Sequence, residues 1–175
     1  MKRAVFIVIV LIFSIVFLSL SGQNFTYVGA SKCQICHKTE KQGMQFSIWQ
    51  KTKHSSSYAN LSSEKALALV KEIGLEIPPA ESEKCLKCHS PLFDKAAEIK
   101  QEGVTCEVCH GPGSEYKKLN IMKNREEAVK NGLLVYESQE AIKAHCLTCH
   151  EKAHGKTFDF ASSWEKIKHP LPEKQ

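Results

Sequence analysis

The sequence predicts a mostly α-helical fold in which short helices and loops wrap around covalently bound groups rather than a large side-chain core. Three observations predict it. A Cys-x-x-Cys-His pattern recurs four times, the apolar residues between the copies follow short helical periods, and no stretch alternates as a strand would. The chain has 175 residues, enough for one domain. Hydrophobic residues make up 42% of it, but a dense apolar run occupies the first twenty positions. The remainder is lean in large apolar side chains, so something other than side chains is expected to fill its interior.

The N-terminal element is an export signal. Met1-Lys2-Arg3 is a positive start, Ala4 to Leu20 is apolar with interspersed Ser, and Ser19-Leu20-Ser21 offers small residues for cleavage before Gly22. Residues 1–21 therefore read as a signal peptide and 22–175 as the mature domain, in the periplasm or outside the cell. The alternative is an uncleaved anchor, for which the run is short.

The motifs come next. They are Cys33-Gln34-Ile35-Cys36-His37, Cys85-Leu86-Lys87-Cys88-His89, Cys106-Glu107-Val108-Cys109-His110 and Cys146-Leu147-Thr148-Cys149-His150, and they use all eight cysteines. This is the attachment signal for c-type haem. On a helical turn, residues i, i+3 and i+4 share a face, so two thioethers hold the porphyrin edge while the His reaches the iron. Zinc sites would leave four regularly placed histidines unexplained, and disulfides would explain neither the Cys spacing nor the His. The expected cofactor is four covalently attached haem c. His37, His89, His110 and His150 are the proximal iron ligands. With every thiol consumed, thiol catalysis is excluded. Four haems in residues 22–175 is one per about 38 residues, which accounts for the lean core.

The motifs start 52, 21 and 40 residues apart, too irregular for a solenoid. Between them, residues 43–59 read as a helix with Phe46 and Trp49 on one face. Ser62 or Ser63 can cap a second helix that stops at Gly74, and Ile77-Pro78-Pro79 breaks the chain. Asn124, with Glu127 three residues on, resembles an N-cap for a helix ending at Gly132. Ser138 begins a helix running into the fourth motif, and 160–168 form a last helix halted by Pro170 and Pro172. Trp49, Phe158, Phe160 and Trp164 are expected to pack against haem edges.

Four histidines lie outside the motifs: His54, His169, His145 and His154, in the order in which their surroundings suit distal ligation. His54 follows the aromatic helix, and His169 precedes Pro170 where the chain turns. His145 stands about 140° around a helix from His150, so it cannot serve its own motif's haem but can face another. His154 follows His150 by four beside Gly155. Met44 and Met122 are fallback ligands. Two imidazoles per iron leave no open position, which suits electron transfer at low potential. An iron lacking the second ligand could instead take nitrite, hydroxylamine or nitric oxide.

Charge excludes little but nucleic acid. The formal net charge is +5, yet only Arg3 and Arg125 are arginines. Lysine suits a hydrated surface better than forked phosphate recognition. No catalytic residues, nucleotide loop or hydrolase triad are seen. The expected partners are redox proteins, either other cytochromes or a quinol-oxidising membrane complex.

Several segments carry a family resemblance. Tyr27-Val28-Gly29-Ala30 before the first motif, Trp49 and His54 after it, and the ending from Phe158 through Trp164 to His169-Pro170 resemble the cytochrome c-554 family. The more specific match is Gly103-Val104-Thr105 with the third motif and Gly111-Pro112-Gly113. The resemblance spans about residues 27–172. It implies a tetrahaem protein carrying electrons in the periplasm or outside the cell, with His54 as a distal ligand. Some members place another distal His after the Gly-Pro-Gly segment, whereas residues 111–144 here contain none. Some keep one five-coordinate haem with nitric oxide or hydroxylamine chemistry. Related short tetrahaem cytochromes polymerise into extracellular filaments with one His ligating a haem in the next subunit. Here His169, on the C-terminal tail, is the candidate for such self-assembly.

Replacing Cys106 or Cys109 with Ala should lose or loosen one haem and destabilise its surroundings. Unchanged haem content and stability in that variant would refute the attachment assignment.

Overall fold

The structure, a computed structural model, describes residues 24–171. The leader expected over 1–21 lies outside them. The described residues are helical, with no strand among them. In chain order the helices are α1 (Ala30–His37), α2 (Gln45–Gln50), α3 (Glu64–Glu72), α4 (Glu83–His89), α5 (Cys106–His110), α6 (Leu119–Met122), α7 (Arg125–Lys130), α8 (Gln139–His150) and α9 (Phe160–Ile167). Short 3-10 turns at Glu40–Gln42, Ala59–Ser62, Ala97–Glu102 and Ala153–Gly155 join them. Among the described residues no helix is long and apolar enough to cross a membrane.

Local capping explains most of the boundaries. Of the two serines that could cap α3, Ser63 does so, its Oγ accepting from Ala66 N–H at 3.2 Å. Asn124 Oδ1 accepts from Glu127 N–H at 3.2 Å to start α7, and Ser138 Oγ from Ala141 N–H at 3.2 Å to start α8. Asp159 does the same for α9 through Ser162 N–H at 3.3 Å. Each cap satisfies an amide that the first helical turn would otherwise leave unpaired. The end of α7 is a Schellman closure. Gly132, at φ 102°, donates to Val129 O, and Leu133 N–H returns to Ala128 O. The same two-bond closure at Gly74 and Leu75 ends α3.

The helix expected over 43–59 is much shorter. It begins at Gln45, after Met44 in a left-handed conformation at φ 54°, and ends at Gln50. Hydroxyls then take the carbonyls that would continue it. Thr52 Oγ1 donates to Trp49 O at 2.7 Å, and Ser55 Oγ lies 3.0 Å from Gln50 O and 2.9 Å from Thr52 O. The run of Ser and Thr competes with the helix for its own backbone.

Helix α1 packs against α2 and α5, α6 against α7, and α3 against the Ala59–Ser62 turn. Leu92, Ala96 and Ile99 form a small apolar cluster with Tyr27 and Val108 against it. Among the described residues the largest side chains less than 2% exposed are Glu107 and Ser90, neither of them apolar. The side-chain core is therefore as lean as composition implies, and it is tied together by polar groups.

Removing the α3 cap by Ser63→Ala should cost about 1 kcal/mol in a denaturation experiment on the haem-loaded protein. Ser62→Ala should stay within about 0.5 kcal/mol of the parent.

Candidate haem-attachment sites

Each of α1, α4, α5 and α8 ends on the histidine of its motif. The Cys-x-x-Cys-His run is thus the last helical turn in all four cases, and both sulfurs and the imidazole share one face. The backbone leaves the helix directly afterwards at three of them. Ser90 is extended at φ −156°, Gly111 sits at φ 78°, and Glu151 is extended.

The motifs lie beside one another in a definite order. Cys33 and Cys106 lie close enough to interact, which raises the thiol of Cys33 and lowers that of Cys106. Cys109 reaches the fourth motif. Burial pushes its thiol up to about 11, with Cys146 and Cys149 adding to the effect. Cys88 Sγ lies 4.0 Å from Cys149 O, and Cys149 Sγ 3.8 Å from Lys87 O. The spatial order of the motifs is therefore one, three, four, two.

Three motif histidines face a histidine from elsewhere in the chain. The ring centroids of His54 and His150 are 6.1 Å apart, those of His89 and His154 6.1 Å, and those of His110 and His169 5.8 Å. Two metal–imidazole bonds of about 2 Å, with half a ring on either side, require about this separation. Each pair offers two nitrogens, the number that suits an iron whose other four positions a porphyrin fills. These residues fit the group that the motifs require.

The ring orientations agree. His89 Nδ1 donates to Ser57 O at 2.9 Å, which leaves Nε2 as the free lone pair. His37 Nδ1 likewise lies 3.3 Å from Gln45 Oε1. Burial favours the neutral form, the one that binds metal, in four of these imidazoles. It lowers His54, with His150 adding, and lowers His150 and His169. His110 is pushed down to about 4 by burial and then by His169 and His37.

The sequence-derived order of the four spare histidines differs from their placement. His154, last in that order, faces His89. It does so from a strained loop in which Lys152 and His154 both take positive φ, at 55° and 52°. Such strain collects at functional positions. His145 meets no motif histidine; its ring lies 5.3 Å from that of Tyr136. His169 reaches a motif histidine of its own chain. His37 has no second histidine in the pairing geometry of the other three. Met44 lines a shallow depression with Ile48 and Pro170.

The aromatics pack on a motif histidine and on one another. Phe158 stacks on His150 at 4.6 Å and 19°, and Phe160 stacks with Trp164 at 6.3 Å. Trp49 also makes a polar tie, its Nε1–H donating to Val104 O at 2.9 Å, which links α2 to the approach of the third motif.

Sequence reasoning overlooked four supporting residues. Glu107, 1% exposed, accepts from Val28, Gly29 and Gly113 N–H. A Cβ on Gly113 would lie 2.9 Å from Glu107 Oε1, so this close approach needs glycine. Glu102 accepts from Ala30 N–H at 2.7 Å and Thr105 Oγ1 at 2.8 Å. Ser57 Oγ touches the carbonyls of His54 and His89, at 2.7 and 2.8 Å, and accepts from Val104 N–H at 3.0 Å. Tyr136 Oη is buried without a hydrogen-bond partner. It sits close enough to Cys109 and Cys146 to feel both. The signal for Glu107 was present, since it stands inside the Gly103–Gly113 stretch.

Comparison with known proteins places this arrangement. Residues 32–111 match the family model described as cytochrome c554 and c-prime. Cytochrome c-554 of Nitrosomonas europaea is 25% identical over 182 aligned residues, covering 91% of this chain and 72% of that protein. No solved structure matches the chain. The family model spans the motif-three segment that carries the resemblance, and the chain is similar to cytochrome c-554 proteins over most of its length.

Proposed function

We propose that this chain is an exported tetrahaem electron carrier in which three of the four irons take two imidazoles. The ligand pairs are His150 with His54, His89 with His154, and His110 with His169, and His37 is the proximal ligand of the fourth. The observation that carries this reading is the set of three ring pairs at 5.8 to 6.1 Å, each joining a motif histidine to one outside the motifs. Iron porphyrin bound in such sites supplies one-electron exchange between its ferric and ferrous states.

The chain's own residues do the rest. Paired imidazoles close both axial positions to small molecules. Ser57 O fixes the His89 ring, and burial favours the unprotonated form of His54, His110, His150 and His169. The absence of methionine from the three pairs favours low potentials. The motif order one, three, four, two sets the sequence in which the sites neighbour each other. Partners are other cytochromes or a quinol-oxidising membrane complex, and the lysine-rich surface suits an acidic docking face. The leader, cleaved before Gly22, delivers the protein to the periplasm or beyond.

A second reading is favoured by His37. Its iron would keep an exchangeable sixth position, so one site could take nitric oxide or another small nitrogen oxide while the other three carry electrons.

Electron paramagnetic resonance of the oxidised protein tests the ligand set. His54→Ala, His154→Ala and His169→Ala should each convert one of the low-spin irons to high spin, while His145→Ala should change none. A low-spin spectrum that survives all three substitutions would reject the pairing. The reduced parent should bind one carbon monoxide per molecule at the His37 iron. Binding of none, with uptake appearing in His145→Ala, would mean that His145 of a second copy fills the position.

A further inference from the structure

We propose that the buried Glu107 carboxylate is a fixed negative charge that holds the motif-one and motif-three haems at lower potential than the other two, an inference that rests on the tetrahaem reading above. Glu107 is 1% exposed. Oε1 accepts from Val28 N–H at 3.0 Å and Gly113 N–H at 2.6 Å, and Oε2 from Val28 N–H at 3.0 Å and Gly29 N–H at 2.7 Å. With both oxygens engaged as acceptors, the group is a carboxylate rather than a carboxylic acid. No lysine or arginine among the described residues pairs with it. The ion pairs there are exposed ones on Glu115, Glu127 and Glu165. Amide dipoles solvate the charge without cancelling it.

Its position singles out two sites. Glu107 lies between Cys106 and Cys109, and it grips the backbone just ahead of α1, which carries the first motif. It is close enough to act electrostatically on both Cys33 and Cys106. Glu102 acts on the same two cysteines. The equivalent motif position is Gln34 in the first copy, Leu86 in the second and Leu147 in the fourth. Only the third copy carries a charge there.

Ferric iron bears one more positive charge than ferrous iron. A nearby buried anion therefore stabilises the oxidised state, and a low local dielectric strengthens the effect. Along the order one, three, four, two this makes a slope. Electrons entering at the motif-one end run towards higher potential at motif two.

The test is a redox titration of the haem-loaded protein followed by electron paramagnetic resonance, with haem quantified in each variant. Glu107→Gln should raise two of the four midpoints. The expected change is about tenfold in the oxidised-to-reduced ratio at fixed applied potential, which is about 59 mV for one electron. Gly113→Ala disturbs the same junction but keeps the charge, so it should destabilise without that shift. Four unmoved midpoints in a fully loaded Glu107→Gln protein would overturn the proposal, as would an equal shift in Gly113→Ala. Should Glu107→Gln fail to retain four haems, Glu102→Gln and Glu107→Asp decide. The first must raise the same two midpoints and the second must leave them in place; any other result rejects the assignment. Fewer than four haems in the parent would instead defeat the tetrahaem reading itself.

Discussion

The structure depends on one regularity, which is that a helix stops at the histidine of each motif. Two sulfurs and an imidazole can share a face only within a single helical turn, and the ring needs clear space on its far side. Four helices of very different length, from the five residues of α5 to the twelve of α8, all obey this by ending on His. Their N-terminal extensions vary freely because only the last turn is constrained. The chain beyond each histidine is therefore turn or loop, and loops bring the imidazoles that face three of the motif histidines. His54 comes from the segment where Ser and Thr dismantle α2, and His154 from a left-handed kink just beyond the end of α8. His169 comes from the extended chain after α9.

Such a molecule has little apolar material to organise itself. Polar groups take that role. Glu107 and Glu102 hold three successive amides, Val28 to Ala30, and so set where α1 begins. Ser57 joins the His54 turn, the end of α4 and the approach to α5. Buried polar groups are expensive unless satisfied, so a junction built this way tolerates only one arrangement. That specificity matters more here than in an ordinary domain. The attachment turns must be held in place even though few large side chains surround them.

The sequence revealed the elements that local chemistry decides. The attachment turns follow from Cys and His spacing, and the starts of α7 and α8 from Asn124 and Ser138. The lean interior follows from composition. It could not reveal outcomes that depend on distant partners. Whether Ser62 or Ser63 caps α3 turns on which hydroxyl meets Ala66 N–H. The early end of α2 depends on hydroxyl competition, which hydrophobic periodicity does not record. Ranking the spare histidines by neighbouring sequence put His145 above His154. Placement reversed them, because the positive φ at Lys152 and His154 turns a ring towards α4 that local pattern would leave in solvent. Glu107 was visible as a letter in the most specific stretch of the chain, but its partners at residues 28, 29 and 113 exist only in the fold.

The eight histidines do not divide evenly, and this asymmetry has physical consequences. Three motif histidines are matched within the chain, while His37 and His145 stay apart on different helices. His37 is nevertheless not isolated, since it acts electrostatically on both His110 and His169. A motif histidine without a facing partner therefore sits beside one that has such a partner, at the end of the motif order where Glu102 and Glu107 lie. Under the proposed ligand set, a molecule held at the His37 site would lie beside the His110–His169 pair, across the packing that joins α1 to α5.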